Sequence, residues 1–364
     1  MRNQVWDIIN GSSLQYQILH ELKYTPSVGM VELFISDTCP LACKHCFHAD
    51  VRSVDQPLSF QEWAAVIDQL IRMGGRHFHL AGREPFTEKV TLDILAYLSA
   101  KKQTVDLKLG AISNGLNCRK HLHAIQSSGL DYLEISIDGL ADTHDFMRGK
   151  GTYQRTIENL KEIVTVLGEK RVSTATALTK RNIRQIPDII QSLSHLGLRR
   201  FFFQPVTPMG YALSMSDSLI DGEEYRQAIH WTRQALAKAE FQNTGMVVMF
   251  YVPLEMLYLV CQGDEWIEQE LLHSLYQETS VTKQGVNYLQ LDFAIANIPF
   301  WRHMIVTEDG YLINDCASRS VPHYQELSAG SIRHMPLAEL IGKTQSIAIR
   351  RIEQNLADKD GFID

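Results

Sequence analysis

The stretch VELFISDTCPLACKHCFHAD, residues 31–50, decides the fold. Its opening, VELFIS (31–36), reads as a β-strand. Directly after it come Cys39, Cys43 and Cys46, three of the chain's six cysteines within eight residues. Three thiols at a strand end pose a choice. They could form a disulfide knot, a zinc site, or a cluster that leaves one metal coordination position open.

The whole chain narrows that choice. Its 364 residues suit one large α/β domain plus a smaller one, or a single barrel with an appendage. With 45% hydrophobic and 21% charged residues it reads as an ordinary globular protein. A net charge of −7 gives no basic footprint for nucleic acid. The first residues lack the continuous apolar core of a signal peptide, and no stretch is long and apolar enough to span a bilayer. A cytoplasmic location follows as the expectation, with no membrane partner. Thiols there are mostly kept reduced, which favours metal binding or catalysis over disulfides.

Outward from residues 31–50 the pattern alternates strand and helix. Strands are expected at 31–36, 77–82, 106–113, 132–137, 172–178 and 200–206, with helices at 59–74, 89–102, 119–128, 152–168 and 183–196. Units of this kind, repeating every ~25–45 residues, require parallel βα architecture. Six are fewer than the eight of a closed barrel. The expected fold class is therefore α/β, a partial (βα)6 barrel with a small C-terminal hairpin-plus-helix domain. The expected divisions are 1–29, an N-terminal extension; 30–215, the core; 216–300, mainly helical with one apolar segment at 245–253; and 301–364. In that last part, 302–316 reads as a hairpin turning at Glu308-Asp309-Gly310, followed by a helix over about 336–356.

In such sheets chemistry gathers at the C-terminal ends of the strands. The unusual residues fall there: the cysteines after the first strand, GREP (82–85) after the second, SNG (113–115) after the third and SIDG (136–139) after the fourth. Structural zinc closes with four ligands, and His45 or His48 could supply the fourth. Zinc sites favour paired C-x2-C units, however, and no second pair exists. Iron–sulfur clusters usually take four cysteines, so three leave one iron open.

The set of motifs over residues 30–210 resembles the radical S-adenosylmethionine (SAM) superfamily, in the branch with SPASM or twitch C-terminal domains. The resemblance implies a 4Fe–4S cluster on Cys39, Cys43 and Cys46, with SAM on the open iron. It implies a SAM site made of Gly82, Arg83, Glu84 and Pro85 (the family's GGEP), Asn114 (its TNG), Ser136 and Arg148 toward the methionine carboxylate, His45 near adenine, and Gln204 on the sixth strand. His77 and His79 read as packing or hydrogen-bonding residues, Asp138 as a turn former, and Cys118 and Cys261 as structural. Arg83 departs from the family's second glycine. Cys316 matches the first SPASM ligand, but Met335 stands at the next and no cysteine follows Cys316. The C-terminal part therefore reads as a cap that has lost its auxiliary cluster, with Cys316 a candidate hydrogen donor.

The implied activity is reductive cleavage of SAM and hydrogen abstraction from an unactivated carbon, in natural-product or ribosomal-peptide maturation. The alternatives are an aminocyclitol or sugar dehydrogenase or epimerase, and a non-catalytic iron–sulfur protein on the same scaffold. The implied partners are a peptide or small-molecule substrate and a single-electron reductant of flavodoxin or ferredoxin type.

Overall fold

The computed structural model describes residues 28–48, 56–237, 244–261, 264–267, 288–292, 304–313, 319–321, 323–344 and 346. Most of the expected N-terminal extension, Cys316, and the end of the expected last helix lie outside the described residues.

The chain begins with β1 (Met30–Ser36), α1 (Phe60–Arg72), β2 (His77–Gly82), α2 (Lys89–Lys102) and β3 (Lys108–Ser113). It continues through α3 (Leu122–Ser127), β4 (Tyr132–Ser136), α4 (Ala141–Arg148), α5 (Thr152–Leu167), β5 (Val172–Leu178), α6 (Ile186–Ser194) and β6 (Arg200–Pro205). Local chemistry sets the boundaries. At α1, Ser59 Oγ accepts from the Glu62 N–H while the Glu62 carboxylate accepts from the Ser59 N–H, a capping box. Trp63, Val66, Ile67 and Leu70 then form one buried stripe. The expected helix at 119–128 is a 3-10 turn, Cys118–His121, followed by the short α3. Helix α4 was not anticipated; its eight residues carry few apolar side chains.

After a 3-10 segment (Gly210–Ser218) come α7 (Gly222–Leu236), β7 (Val247–Tyr251), α8 (Leu254–Cys261), β8 (Tyr288–Asp292), β9 (Met304–Val306), β10 (Tyr311–Ile313), α9 (Tyr324–Leu327) and β11 (Gly330–Ser331). One sheet runs in the order β11-β10-β9-β1-β2-β3-β4-β5-β6-β7-β8. Strands β1 to β8 are parallel to their neighbours, as are β1 and β9. The sheet is thus a mostly parallel α/β structure that does not close, with β11 and β8 as its ends. Two features extend the six-strand expectation. The segment expected to be mainly helical also supplies β7 and β8, and the hairpin β9–β10 joins the β1 edge of the same sheet.

Both sheet faces are apolar, because alternate residues point opposite ways. Val31, Leu33 and Ile35 of β1 pack with Ile67 and Leu70 of α1 and Ile94 and Leu98 of α2 in the main core. Phe34 points to the other face, with Ala81, Ile305, Ile313 and Tyr324. Among the described residues no helix is long and apolar enough to cross a membrane.

Candidate functional site

Parallel register brings the ends of β1, β2 and β3 side by side, with Ser36 opposite Gly82. The thiol loop starts three residues after β1. Its backbone is tied to two other elements: Lys44 N donates to Met147 O at 2.9 Å and Tyr211 N donates to Cys46 O at 3.0 Å. Gly210 lies so close that a Cβ there would meet the Cys46 and Phe47 carbonyl oxygens at 2.6 Å.

Cys39, Cys43 and Cys46 are free thiols, Cys43 buried and the others half-buried. Burial pushes Cys43 up to about 12, opposed by Arg148 and assisted by Asp138 and the other two thiols. Burial likewise raises Cys39, with Glu84 and Cys46 adding to it, and raises Cys46 against the opposing charges of Arg83 and Arg148. Three thiols therefore sit within electrostatic reach of one another. Asn114 Nδ2 lies 3.6 Å and Leu41 N 3.4 Å from Cys39 Sγ, both as donors. Free thiols, one buried and two half-buried, with N–H donors aimed at the Cys39 sulfur fit a thiolate-ligated iron–sulfur cluster, since the metal replaces the proton that burial retains. Among the described residues no group of three or more His, Cys, Asp or Glu side chains is arranged to hold a single metal ion.

Beside this loop, Glu84 is completely buried. Its carboxylate accepts from Asn114 N at 2.7 Å, Ser113 Oγ at 2.8 Å and Phe86 N at 3.3 Å. Burial raises its pKa, and those three donors, then Arg148, only partly offset the rise. It has acceptors to spare, and among the described residues no cation is in hydrogen-bond contact with it. Gly82, just before it, has φ +118°, and a Cβ there would lie 2.8 Å from Ser36 O. Glycine is thus required at 82. Arg83 fits the neighbouring position, with its N–H donating to Ser36 O at 3.0 Å and Nη1 to Asp37 O at 3.1 Å. Pro85 opens the 3-10 turn that follows.

At the end of β4 the arrangement differs. Asp138, also completely buried, accepts from Arg148 Nε at 2.6 Å and from Ala177 N at 2.9 Å. His45 Nε2 lies 3.3 Å from the same carboxylate. Burial works to raise Asp138, but Arg148 and then His45 outweigh it and hold the carboxyl down at about 2. Burial lowers the His45 pKa, against the opposing pull of Asp138. Asp138 was expected as a turn former; it anchors a buried ion pair across α4. The spacing of ten residues, Asp after a strand and Arg closing the next helix, was the signal available in the sequence.

The remaining residues divide clearly. Ser136 is buried at the end of β4, and Gln204 is half-buried on β6 opposite Ala177. Cys118 is fully buried and donates to Ser113 Oγ at 3.1 Å, and Cys261 sits in the core. His77 Nε2 and His79 Nδ1 both bond the Tyr132 hydroxyl, at 2.8 and 2.9 Å. Tyr132 fits there because Gly110 opposite has no side chain. Met335 lies near Gly330, against the core. Sequence reasoning missed Arg319, which is buried and paired with Glu308, with its Nη1 unpartnered. Among the described residues, both ring nitrogens of buried His48 and Arg83 Nε likewise have no partner.

The family model of the radical SAM superfamily matches residues 33–193. Among curated proteins, the chain is 26% identical over 211 residues to the AdoMet-dependent heme synthase of Nitratidesulfovibrio vulgaris, covering 57% of this chain and 56% of that protein. It is 25% identical to the PqqA peptide cyclase of Rhizobium meliloti over 63% of this chain and 60% of that one. The matches thus span little more than half the length of these relatives. Among solved structures, Streptococcus suis SuiB bound to precursor peptide SuiA superposes with a TM-score of 0.62 at 15% identity, covering 88% of this chain and 67% of that one. This likeness is one of fold.

Proposed function

The chain carries a radical SAM domain, and from that premise we infer that it reductively cleaves SAM and abstracts a hydrogen atom from an unactivated carbon of a peptide substrate. The observation that carries the reading is the juxtaposition of a three-thiol loop with a fully buried carboxylate that lacks a contacting cation. Cys39, Cys43 and Cys46 would hold a 4Fe–4S cluster. With SAM bound, that group supplies one-electron cleavage of the sulfonium and a carbon radical able to take hydrogen. Glu84 would accept hydrogen bonds from the SAM amino group, a charge-assisted contact. Ser136 and Arg148 would face its carboxylate, with Asp138 fixing the guanidinium. Asn114 would hold Cys39 and line the cofactor, as would His45 and Gln204. The peptide assignment is supported by a relative named as a peptide cyclase and a fold neighbour bound to a precursor peptide. Residues 30–215 would form the catalytic core, and 301–364 a cap without auxiliary-cluster ligands.

A second reading has its own observation. The unpartnered N–H groups of Arg83 and Arg319 beside His48 would suit substrate carboxylates, as on a tetrapyrrole, and one relative is a heme synthase. Anaerobic reconstitution with iron and sulfide, reduction with dithionite, and chromatography of 5'-deoxyadenosine test the reaction. Wild type is expected to form it, and Cys39→Ala, Cys43→Ala and Cys46→Ala each to lose it by more than a hundredfold. A cysteine variant with undiminished product refutes the assignment. Mass spectrometry then separates the substrates, as a modified peptide or a decarboxylated tetrapyrrole.

A further inference from the structure

Buried donors without partners gather at one place. Among the described residues seven buried side-chain atoms make no hydrogen bond, and four of them are Arg83 Nε, Arg319 Nη1 and the two ring nitrogens of His48. Leaving such groups unpaired destabilises a fold, so a cluster of them marks a place where something else binds. His48 and Arg319 are 3% and 1% exposed, and Arg83 is half-buried. The three come from separate parts of the chain. His48 lies two residues past Cys46, Arg83 follows β2, and Arg319 stands between β10 and α9.

Packing holds these side chains in place. The His48 ring lies 5.2 Å from the Phe34 ring and 4.0 Å from the Phe47 ring, centre to centre. The Arg319 guanidinium sits 4.1 Å from the centre of the Tyr324 ring. Phe34, Phe47 and Tyr324 belong to one apolar cluster on the second face of the sheet. Burial, then the charge of Arg319, then that of Arg83 disfavour a proton on the His48 ring, so both guanidiniums bear on it. The charges are not balanced within the fold. Glu308 pairs with Arg319, and Asp309 is engaged by Tyr324, Thr307 and Gln325. Arg83 gives Nη1 to the Asp37 carbonyl and meets no carboxylate among the described residues.

We propose that His48, Arg83 and Arg319 form a seat for one carboxylate of the substrate, so that the peptide this chain modifies presents an acidic group beside the thiol loop. The inference rests on the peptide reading and narrows it. Guanidinium N–H groups are donors only, and their planar edges match the two oxygens of a carboxylate. The imidazole adds a further N–H. A cationic ligand is excluded by the same two charges. A tetrapyrrole would bring several carboxylates, and among the described residues no other arginine has a buried unpartnered nitrogen. Peptides carry carboxylates in two forms, the Asp or Glu side chain and the C-terminus, and the donors suit either.

The test reads binding to the full chain, reconstituted with iron and sulfide and saturated with SAM, by anaerobic ligand-detected NMR. Three probes differ in one group. Acetyl-glutamine N-methylamide is neutral, acetyl-glutamate N-methylamide carries a side-chain carboxylate, and acetyl-glutamine carries a terminal one. One of the charged probes is expected to bind at least tenfold tighter than the neutral one, and which of them does so tells side chain from C-terminus. Arg83→Met and His48→Phe should each cut that preference to about threefold or less. Arg319→Met would strand Glu308, so it is made together with Glu308→Gln; Arg83→Met, at a half-buried position, keeps the test alive where that pair fails to fold. Equilibrium dialysis of SAM is run on every variant. Wild type with no preference for either carboxylate overturns the proposal, and so does a preference that the variants keep. Variants that lose SAM in step with the probes assign the donors to the SAM carboxylate and overturn it too. A porphyrin tetracarboxylate weakened by the same variants, with no preference among the small probes, overturns it in favour of the tetrapyrrole. Formation of 5'-deoxyadenosine and peptide turnover are read separately, so a failed peptide reading is distinct from an empty seat.

Discussion

Two buried carboxylates, one beyond β2 and one beyond β4, are both fully sealed from solvent and behave oppositely. Asp138 has Arg148 against it and is held down at about 2. Glu84 is surrounded by neutral donors and is raised. The first is already neutralised within the fold. The second is ready to accept from a group the fold does not contain. Burial alone says nothing about function; whether the countercharge comes from inside the chain separates the anchoring carboxylate from the one proposed to bind.

The sharpest way to break this comparison is to neutralise each in turn. Asp138→Asn leaves the Arg148 charge buried without its partner and should cost about 3–5 kcal/mol, read as a lowered urea midpoint. Adding Arg148→Met should recover much of that loss, since the coupling is between the two groups. If Asp138→Asn is as stable as wild type, the ion pair is not what holds α4 to β4. Glu84→Gln should act elsewhere. It sets an amide N–H₂ against N–H donors at a cost of about 1–2 kcal/mol. Its main effect should be a ten- to hundredfold loss of SAM affinity by the reconstituted protein, measured by equilibrium dialysis.

Acid sharpens the contrast further. The Asp138 pKa in the folded protein lies below its ordinary value of 3.8, so its contribution is complete above that value and is lost as pH falls toward 2. A shift from 3.8 to about 2 corresponds to about 2 kcal/mol of pH-dependent stability. Glu84 runs the other way. Ionising it in the folded state becomes costly as pH rises above the ordinary carboxylate range. Urea midpoints of wild type and Asp138→Asn between pH 5 and pH 3 should therefore converge. A gap that stays constant would show that Asp138 does not titrate with unfolding.

The same distinction explains what was legible in the sequence. Strands β1 to β6 showed themselves because each is a short apolar run, and the first four lead into the glycine, asparagine and cysteine motifs at 39–46, 82–85, 113–115 and 136–139. The thiol loop was legible because three cysteines in eight residues need no tertiary information to come together. Strand β8 was not, because an edge strand far from its partner in sequence announces itself only through pairing with β7. Asp138 was visible as Asp-Gly and Arg148 as a site residue, but their pairing was not read, since Arg148 meets Asp138 only after α4 folds back. Arg83 departs from the second glycine of the family's pair. The steric demand falls on Gly82 instead, and which glycine of a pair carries a positive φ is a property of the backbone path.

The smallest effect is the most discriminating. Ser113 donates to Glu84 Oε1 at 2.8 Å and receives the Cys118 thiol. Ser113→Ala removes the hydrogen bond to Glu84 and takes the acceptor from the Cys118 thiol and the Gly115 N–H, a cost of about 1–2 kcal/mol. It also removes a donor that favours the ionised form of Glu84, so the Glu84 carboxyl should rise further. In the role proposed for Glu84, SAM affinity follows that ionised form, and in wild type it should climb as pH rises through the Glu84 pKa. In Ser113→Ala the climb should shift to higher pH with its plateau nearly unchanged, whereas Glu84→Gln should show no climb. A uniform loss of affinity at every pH would mean that Ser113 supports the loop's shape and not the charge of Glu84.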